Sequence, residues 1–119
     1  METHIGILAI GNEVVEGQIT NRNAAWLSEQ ISKIGGSPLY HLSCRDIDEE
    51  IQASLNFLSQ HCHLVIASGG LGPTKDDGTR ESLSKWLGLP LKHNSEQWNI
   101  IKNKLENRGL TIREGHKNQ

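Results

Sequence analysis

The sequence is poor in the features that mark nucleic-acid-binding and membrane proteins. Only 4% of its 119 residues are aromatic, so we expect no platform on which bases stack. Twelve Lys and Arg stand against fourteen Asp and Glu, and the net charge of −2 provides no basic surface for nucleic acid. No apolar run approaches the roughly 20 residues that span a bilayer. We therefore expect neither nucleic acid nor a membrane as a partner.

Cysteine and signals for secretion are also scarce. Cys44 and Cys62 are the only cysteines, and the opening Met1-Glu2-Thr3-His4 lacks the basic residues of a signal peptide. We therefore expect reduced thiols and a cytoplasmic location. A chain of this length predicts one domain over residues 1–119 that is large enough to bury a core.

The most informative stretch is residues 64–79, LVIASGGLGPTKDDGT. An apolar run of buried-strand type comes first, and three glycines, Gly69, Gly70 and Gly72, follow within four residues. Such a backbone can turn sharply and approach a ligand, and its N–H groups beside a helix N-terminus can hold an anion. The pattern predicts a phosphate or pyrophosphate contact, although a tight strand-to-helix turn would also explain the glycines.

Acidic residues follow the glycines at Asp76 and Asp77, with Thr79 at the expected start of a helix. Carboxylates repel phosphate, so they must serve another purpose here. They would hold a divalent metal, accept protons from hydroxyl groups, or cap the helix.

The remaining pattern alternates strands with helices. We predict strands over residues 5–10, 38–44 and 64–68, and helices over residues 21–34, from 46 to about 58, 79–87 and 96–107. The order β-α-β-α-β-α-α favours parallel strands with helices on both faces. The expected fold is therefore of the α/β class, a three-layer α/β/α domain with a mostly parallel sheet.

Local signals predict caps and buried faces. Asp46 with Glu49 has capping-box spacing for the second helix, Ser95 has cap chemistry for the last helix, and residues 14–15 are expected in a loop. Apolar stripes predict the inward faces of the first and third helices, which comprise Ala24, Leu27, Ile31 and Ile34, and Leu83, Trp86 and Leu87 respectively.

Polar residues also follow the first two strands. Asn12 and Glu13 close the first strand, and Asp46 follows the second, which we expect beside the third. Open α/β sheets bind ligands at the carboxyl ends of their strands, so we expect Asp46 and Asp77 to face one cavity. Two carboxylates near a phosphate site suit a Mg²⁺-type ion, while a plain helix cap is the alternative for Asp46. Asn12 and Glu13 are candidate polar contacts to a ligand.

The segment GGLGPTKDDGT at residues 69–79 is similar to the signature GGLGPTxDDxT of the N-terminal domain of the CinA (competence/damage-inducible) family. That domain in turn resembles the molybdopterin-binding MoaB/MogA fold. The resemblance extends to Gly11-Asn12-Glu13, Gly17, Asn23-Ala24 and Asp46. Most relatives carry Asp where this chain has Asn12.

The resemblance implies an ADP-ribose pyrophosphatase type of activity, in which a pyrophosphate-containing nucleotide is hydrolysed with Mg²⁺, Mn²⁺ or Co²⁺. By the same resemblance Asp77 matches the acidic active-site residue of the molybdopterin-binding proteins. The implied catalytic residues are Asp77 and Asp46, the implied metal ligands are Asp77, Asp76 and Asp46, and the substrate- or phosphate-binding set is Gly69, Gly70, Gly72, Thr74, Thr79, Glu13 and Asn12.

Two alternatives stay open. One is a module that binds molybdopterin or a pterin phosphate without hydrolysis. The other is an inactive fragment with an interaction role, because the family's further strands and second domain have no counterpart in this sequence, so that the fold is expected to be truncated at its C-terminus. Relatives of this fold are oligomeric, which implies a homo-oligomer.

Overall fold

The computed structural model describes residues 3–17, 22–72 and 77–108. In these ranges it contains three strands and five helices, in the order β1 His4–Ile10, α1 Asn12–Val15, α2 Arg22–Lys33, β2 Ser37–Cys44, α3 Asp48–His61, β3 Leu64–Ser68, α4 Thr79–Leu87 and α5 Ser95–Asn107. Within those ranges, every helix is too short or too polar to cross a membrane.

The three strands form a parallel sheet in the order β2-β1-β3. The chain crosses through α2 from β1 to β2, and α3 then carries it back past β1 to β3. The parallel sheet is confirmed, whereas the expected placement of the second strand beside the third is wrong, because β1 lies between them. The direction of winding changes between β1 and β3, and ligands of open α/β sheets bind at such a switch point.

The core has two halves, one on each face of β1. Leu8 and Ile10 pack with α3, whereas Ile5 and Ile7 pack with α2. Successive strand residues point to opposite faces, so this alternation places a helix layer on each side of the sheet. The predicted α/β/α arrangement is confirmed. Gly6 permits the close approach of α3, because a Cβ there would lie 2.8 Å from Leu58 Cδ2.

Several local predictions are wrong. Residues 14–15 lie in the short helix α1 and not in a loop, since Val15 N and Glu16 N donate to Gly11 O and Asn12 O at 3.3 and 2.9 Å. Ile34 lies beyond the end of α2 and is 84% exposed, although the predicted stripe had it facing inward.

The buried face of α4 also differs from its apolar stripe. Thr79 and Ser82 are buried, whereas Leu83 and Leu87 are exposed, and only Trp86 of the predicted stripe packs against the core. The reason is that α4 docks on α3 through polar groups. Ser82 Oγ donates to Asp48 Oδ1 at 2.8 Å, so the polar side of α4 lies inward.

Helix α5 begins one residue earlier than predicted and has a different cap. The N-cap is Asn94, whose side chain accepts from Gln97 N at 3.0 Å, so Ser95 is the first helical residue and not the cap. No residue of α5 is buried. Its half-buried residues include the apolar Trp98, Ile101 and Leu105.

Candidate functional site

The candidate site is the glycine turn after β3, at the carboxyl edge of the sheet. Its backbone lies against the end of β1, because a Cβ on Gly69 would lie 2.0 Å from Ile10 O. The turn leads on to α4, whose first residue is Thr79. The glycines, the end of β1 and the start of α4 therefore meet at the switch point of the sheet.

The conformations of Gly69 and Gly70 explain why glycine is needed there. Their φ angles are +96° and +64°, which disfavour residues with a Cβ. A Cβ on Gly70 would lie 2.1 Å from Thr79 Oγ1 and 2.9 Å from Asp46 Oδ2. The protein's own packing accounts for both glycines, and their contact with phosphate stays a prediction.

The backbone N–H groups of the turn are available to an anion. Among the described residues, no group accepts a hydrogen bond from the N–H of Gly70, Leu71 or Gly72. Consecutive N–H groups of this kind form anion-binding concavities. The turn therefore has the chemistry required for a phosphate.

Thr79 braces this turn from the start of α4. It is buried, its hydroxyl donates to Gly69 O at 2.9 Å, and its N–H donates to Gly70 O at 3.3 Å. These bonds hold the turn onto the helix. Contact between Thr79 and a ligand stays a prediction.

Asp46 caps a different helix from the one predicted. The N-cap of α3 is Ile47, which has no side-chain cap, so the predicted capping box of Asp46 with Glu49 is wrong. The Asp46 carboxylate instead accepts from Gly78 N, at 3.1 and 3.2 Å to its two oxygens. Gly78 is the N-cap of α4, so the carboxylate lies at the positive end of that helix dipole.

Asn12 links the end of β1 to Asp46, because its Oδ1 accepts from Asp46 N at 3.0 Å. The neighbouring Glu13 is exposed, and its carboxylate lies close to Gly11, where an added Cβ would be 2.7 Å from Oε1. Both residues therefore lie at the predicted edge of the sheet. Their contact with a ligand stays a prediction.

Asp77 lies beside the last glycine of the turn, Gly72. A Cβ on Gly72 would lie 2.7 Å from Asp77 Oδ2, whereas the Asp46 carboxylate lies against Gly70 and Gly78. The two carboxylates therefore border the same glycine turn at different residues. The predicted roles of Thr74 and Asp76 concern positions outside the described residues.

The donor set limits what kind of metal site is possible. The described residues include no group of three or more His, Cys, Asp or Glu that could hold a metal ion. Asp46 and Asp77 nevertheless supply carboxylate oxygens, and Mg²⁺ is often held by one or two carboxylates together with substrate phosphates. These residues fit a cation shared with a bound phosphate better than a metal enclosed by protein ligands.

A polar cluster that sequence reasoning missed fixes α4 in place. Asp48 on α3 accepts from Lys85 Nζ at 2.9 Å as well as from Ser82 Oγ, and Gln52 Nε2 donates to Ser82 O at 2.7 Å. Hydrogen bonds from Lys85 and then Ser82 lower the pKa of Asp48 below its ordinary value. The cluster positions the helix that carries Thr79. Ser82 and Lys85 lie 34 and 37 residues beyond Asp48, so nothing in the local pattern around Asp48 would have identified them as its partners.

Sequence reasoning also missed Arg80. Its Nη2 lies 3.5 Å from Gly72 O, and its Nε is buried with no hydrogen-bond partner among the described residues. A basic residue directly after Thr79, in the first turn of the helix, was the only available signal.

Comparison with known proteins identifies the family. A family model described as "Probable molybdopterin binding domain" matches residues 6–117. A curated protein of Lysinibacillus sphaericus (strain C3-41), named as competence-damage inducible, is 36% identical over 113 residues, which are 95% of this chain.

Two solved structures are similar to this chain in fold. CinA from Thermoplasma acidophilum, described as of unknown function, has a TM-score of 0.85 and 27% identity, over 98% of this chain and 68% of that one. The tungsten cofactor synthesizing protein MoaB from Pyrococcus furiosus shares the fold, with a TM-score of 0.66 and 22% identity, over 91% of this chain and 66% of that one.

This chain spans 27% of the length of the curated Lysinibacillus relative. Within that span, the family model, the sequence relatives and the CinA structure all agree with the family that the motif at residues 69–79 indicates. The chain belongs to the family of molybdopterin-binding domains and, within it, to the CinA (competence/damage-inducible) proteins, matching their N-terminal MoaB/MogA-like domain.

Proposed function

We propose that this domain binds a pyrophosphate-containing nucleotide such as ADP-ribose at the glycine turn and hydrolyses it with a divalent metal. The observation that carries the proposal is the meeting of unengaged N–H groups with two carboxylates around one turn. The N–H groups belong to residues 70–72, and the carboxylates belong to Asp46 and Asp77. This combination suits a negatively charged ligand that brings a cation with it.

Each residue has a separate part in this proposal. The N–H groups of residues 70–72 bind one phosphate, and Thr79 keeps them in position through its bond to Gly69 O. Asp77, beside Gly72, orients the attacking water by accepting its hydrogen bond. Asp46 holds the start of α4 through Gly78 N, so its loss would disturb both the turn and the carboxylate pair.

The reaction adds one water across the pyrophosphate. The water oxygen forms a new P–O bond, the bridging P–O bond breaks, and AMP and ribose 5-phosphate are the products. A divalent cation, when bound by Asp46 and Asp77 with the substrate, would neutralise charge on the phosphates.

The test is ADP-ribose hydrolysis with Mg²⁺, Mn²⁺ or Co²⁺, on the wild-type chain and on Asp77→Asn. The matched control is Glu49→Gln, which also removes one negative charge but lies exposed at the start of α3. We expect metal-dependent turnover that falls at least a hundredfold in Asp77→Asn and is unchanged in Glu49→Gln, because one oriented group in acid–base chemistry contributes about 10²–10⁴-fold.

Two results would count against hydrolysis. One is a folded wild-type chain that shows no turnover with any of the three metals. The other is turnover in ¹⁸O-labelled water that leaves no label in either product phosphate.

A second candidate function is binding of a molybdopterin-type pterin phosphate without hydrolysis. It is supported by the description of the matching family model and by the lack of a three-ligand metal group among the described residues. The same glycine turn would hold the phosphate. Tight binding of a pterin phosphate, with no consumption of ADP-ribose, would favour this candidate.

We also propose that the protein acts in the cytoplasm as a homo-oligomer. Support for self-association comes from leucines near the end of α4 that are more than half exposed, namely Leu87, Leu89 and Leu91 at 51%, 60% and 56%. Exposed apolar groups that lie together often mark an interface. Sedimentation velocity would test this directly, and a monomer at all concentrations would contradict it.

A further inference from the structure

Arg80 carries a buried polar group that the packing of the domain leaves unexplained. It is the second residue of α4 and follows directly on Thr79, which braces the glycine turn. Its Nε is buried and has no hydrogen-bond partner among the described residues, and its Nη2 approaches Gly72 O only at 3.5 Å.

A buried guanidinium N–H without an acceptor is unfavourable. Buried polar groups are nearly always hydrogen-bonded, and each exception calls for an explanation such as a bound ion or water. Arginine presents its N–H groups in a planar fork that matches two oxygens of a phosphate or carboxylate. The unpaired Nε beside Nη2 therefore has the form of half of an anion-binding fork.

Arg80 takes part in none of the ion pairs among the described residues. Those pairs use Lys33 with Glu29, Arg45 with Glu50, and Lys85 with Asp48. Arg80 has no carboxylate partner among them, although Asp77 and Asp46 border the same turn. A positive group near the N–H groups of residues 70–72 would favour an anion at a place where two carboxylates disfavour it.

We propose that Arg80 is a ligand-binding residue of the glycine turn, where it donates from Nε and Nη2 to phosphate oxygens of a diphosphate. The inference rests on the proposed function for the position and class of the ligand, but it does not depend on hydrolysis. It assigns to α4 a recognition role beyond the bracing of the turn by Thr79.

The test is isothermal titration calorimetry with inorganic pyrophosphate and with ADP-ribose, each with and without Mg²⁺. The proteins are the wild-type chain, Arg80→Gln, Arg80→Lys, and the control Arg108→Gln, which removes an exposed arginine at the end of α5. We expect Arg80→Gln to raise the Kd for pyrophosphate at least tenfold. Arg80→Lys should fall between Arg80→Gln and the wild type, because it keeps the charge and loses the fork.

A role in folding alone predicts a different pattern. If Arg80 merely supported Gly72, its loss would lower the melting temperature of the free protein and leave the Kd of the folded fraction unchanged. We expect instead that the Kd rises and the melting temperature of the free protein is unchanged, since the 3.5 Å contact to Gly72 O is long for a hydrogen bond. If Arg80→Gln folds poorly, the Kd of Arg80→Lys is compared with that of the wild type instead.

The outcomes separate this inference from the proposed function. If the wild type binds pyrophosphate and Arg80→Gln binds it within twofold as well, the role of Arg80 is refuted, even if ADP-ribose is hydrolysed. If Arg80 controls the Kd but ADP-ribose is not consumed, the inference stands and hydrolysis does not. A wild-type chain that binds neither probe overturns both.

Discussion

Replacement of Gly70 by alanine should lower the stability of the domain by more than the backbone strain at position 70 alone would cost. The φ angle of +64° costs an L-residue about 1–2 kcal/mol. The new Cβ would also lie 2.1 Å from Thr79 Oγ1 and 2.9 Å from Asp46 Oδ2, and both groups are held by hydrogen bonds. Overpacking of this kind adds about 1–3 kcal/mol. We therefore expect Gly70→Ala to lower the free energy of unfolding by about 2–5 kcal/mol.

Gly88 provides a matched control for this prediction. Its φ angle is +69°, and a Cβ there would have no atom within 4 Å. Gly88→Ala should cost only the backbone part, about 1–2 kcal/mol, and the effect of alanine on the unfolded chain is the same at both positions. Urea unfolding followed by tryptophan fluorescence measures the two losses. Equal losses for Gly70→Ala and Gly88→Ala would refute the packing argument.

A second variant locates the clash. In a Thr79→Ala background the closest atom to the new Cβ at Gly70 is gone, so Gly70→Ala should cost less there than in the wild type. The difference is the coupling energy of the double-mutant cycle, and contacting residues usually couple by about 0.5–3 kcal/mol. A coupling energy near zero would mean that the turn relaxes away from Thr79.

Two further predictions concern how α4 is held on α3. The pKa of Asp48 is lowered chiefly by Lys85, so this carboxylate stabilises the folded state above its unfolded pKa of about 3.9 and stops doing so as the pH falls through its folded pKa. Asp48→Asn should therefore lower the free energy of unfolding at pH 7 and reduce the further loss of stability below about pH 4. An acid profile of stability, measured by urea titrations, that is unchanged in Asp48→Asn would contradict this. Trp86→Phe removes the bond of 2.8 Å from Nε1 to Asn56 Oδ1 and should cost about 1 kcal/mol, whereas Trp26→Phe, at a side chain 60% exposed, should cost far less in the same unfolding assay.

Local patterns predicted the elements well. The strand predicted at residues 64–68 and the helix predicted at residues 79–87 coincide with β3 and α4, and the first strand differs by one residue. Apolar runs, periodicity and glycines act within a few residues of each other, so they can be read without knowing the fold. The parallel order also follows from short alternating strands and helices.

Contacts between distant segments were not readable in this way. The sequence around Asp46 resembles a cap for the helix that follows it, yet the carboxylate binds Gly78 N, 32 residues further along the chain. The apolar stripe of α4 predicted Leu83 and Leu87 as buried, yet both are exposed and Ser82 is buried instead, because Asp48 accepts its hydroxyl hydrogen. Each outcome depends on which helix lies opposite.

The sequence by itself determined the order of strands and helices, the glycine turn, and the family to which the motif at residues 69–79 belongs. Tertiary structure alone decided that β1 separates β2 from β3, that Asp46 and Asn12 meet at the end of β1, and that the Nε of Arg80 is buried beside the turn. The physical reason is the distance along the chain over which the deciding interactions act. Propensity and periodicity are set by neighbours along the chain, whereas a site is assembled from side chains that only the packing of helices on the sheet brings together.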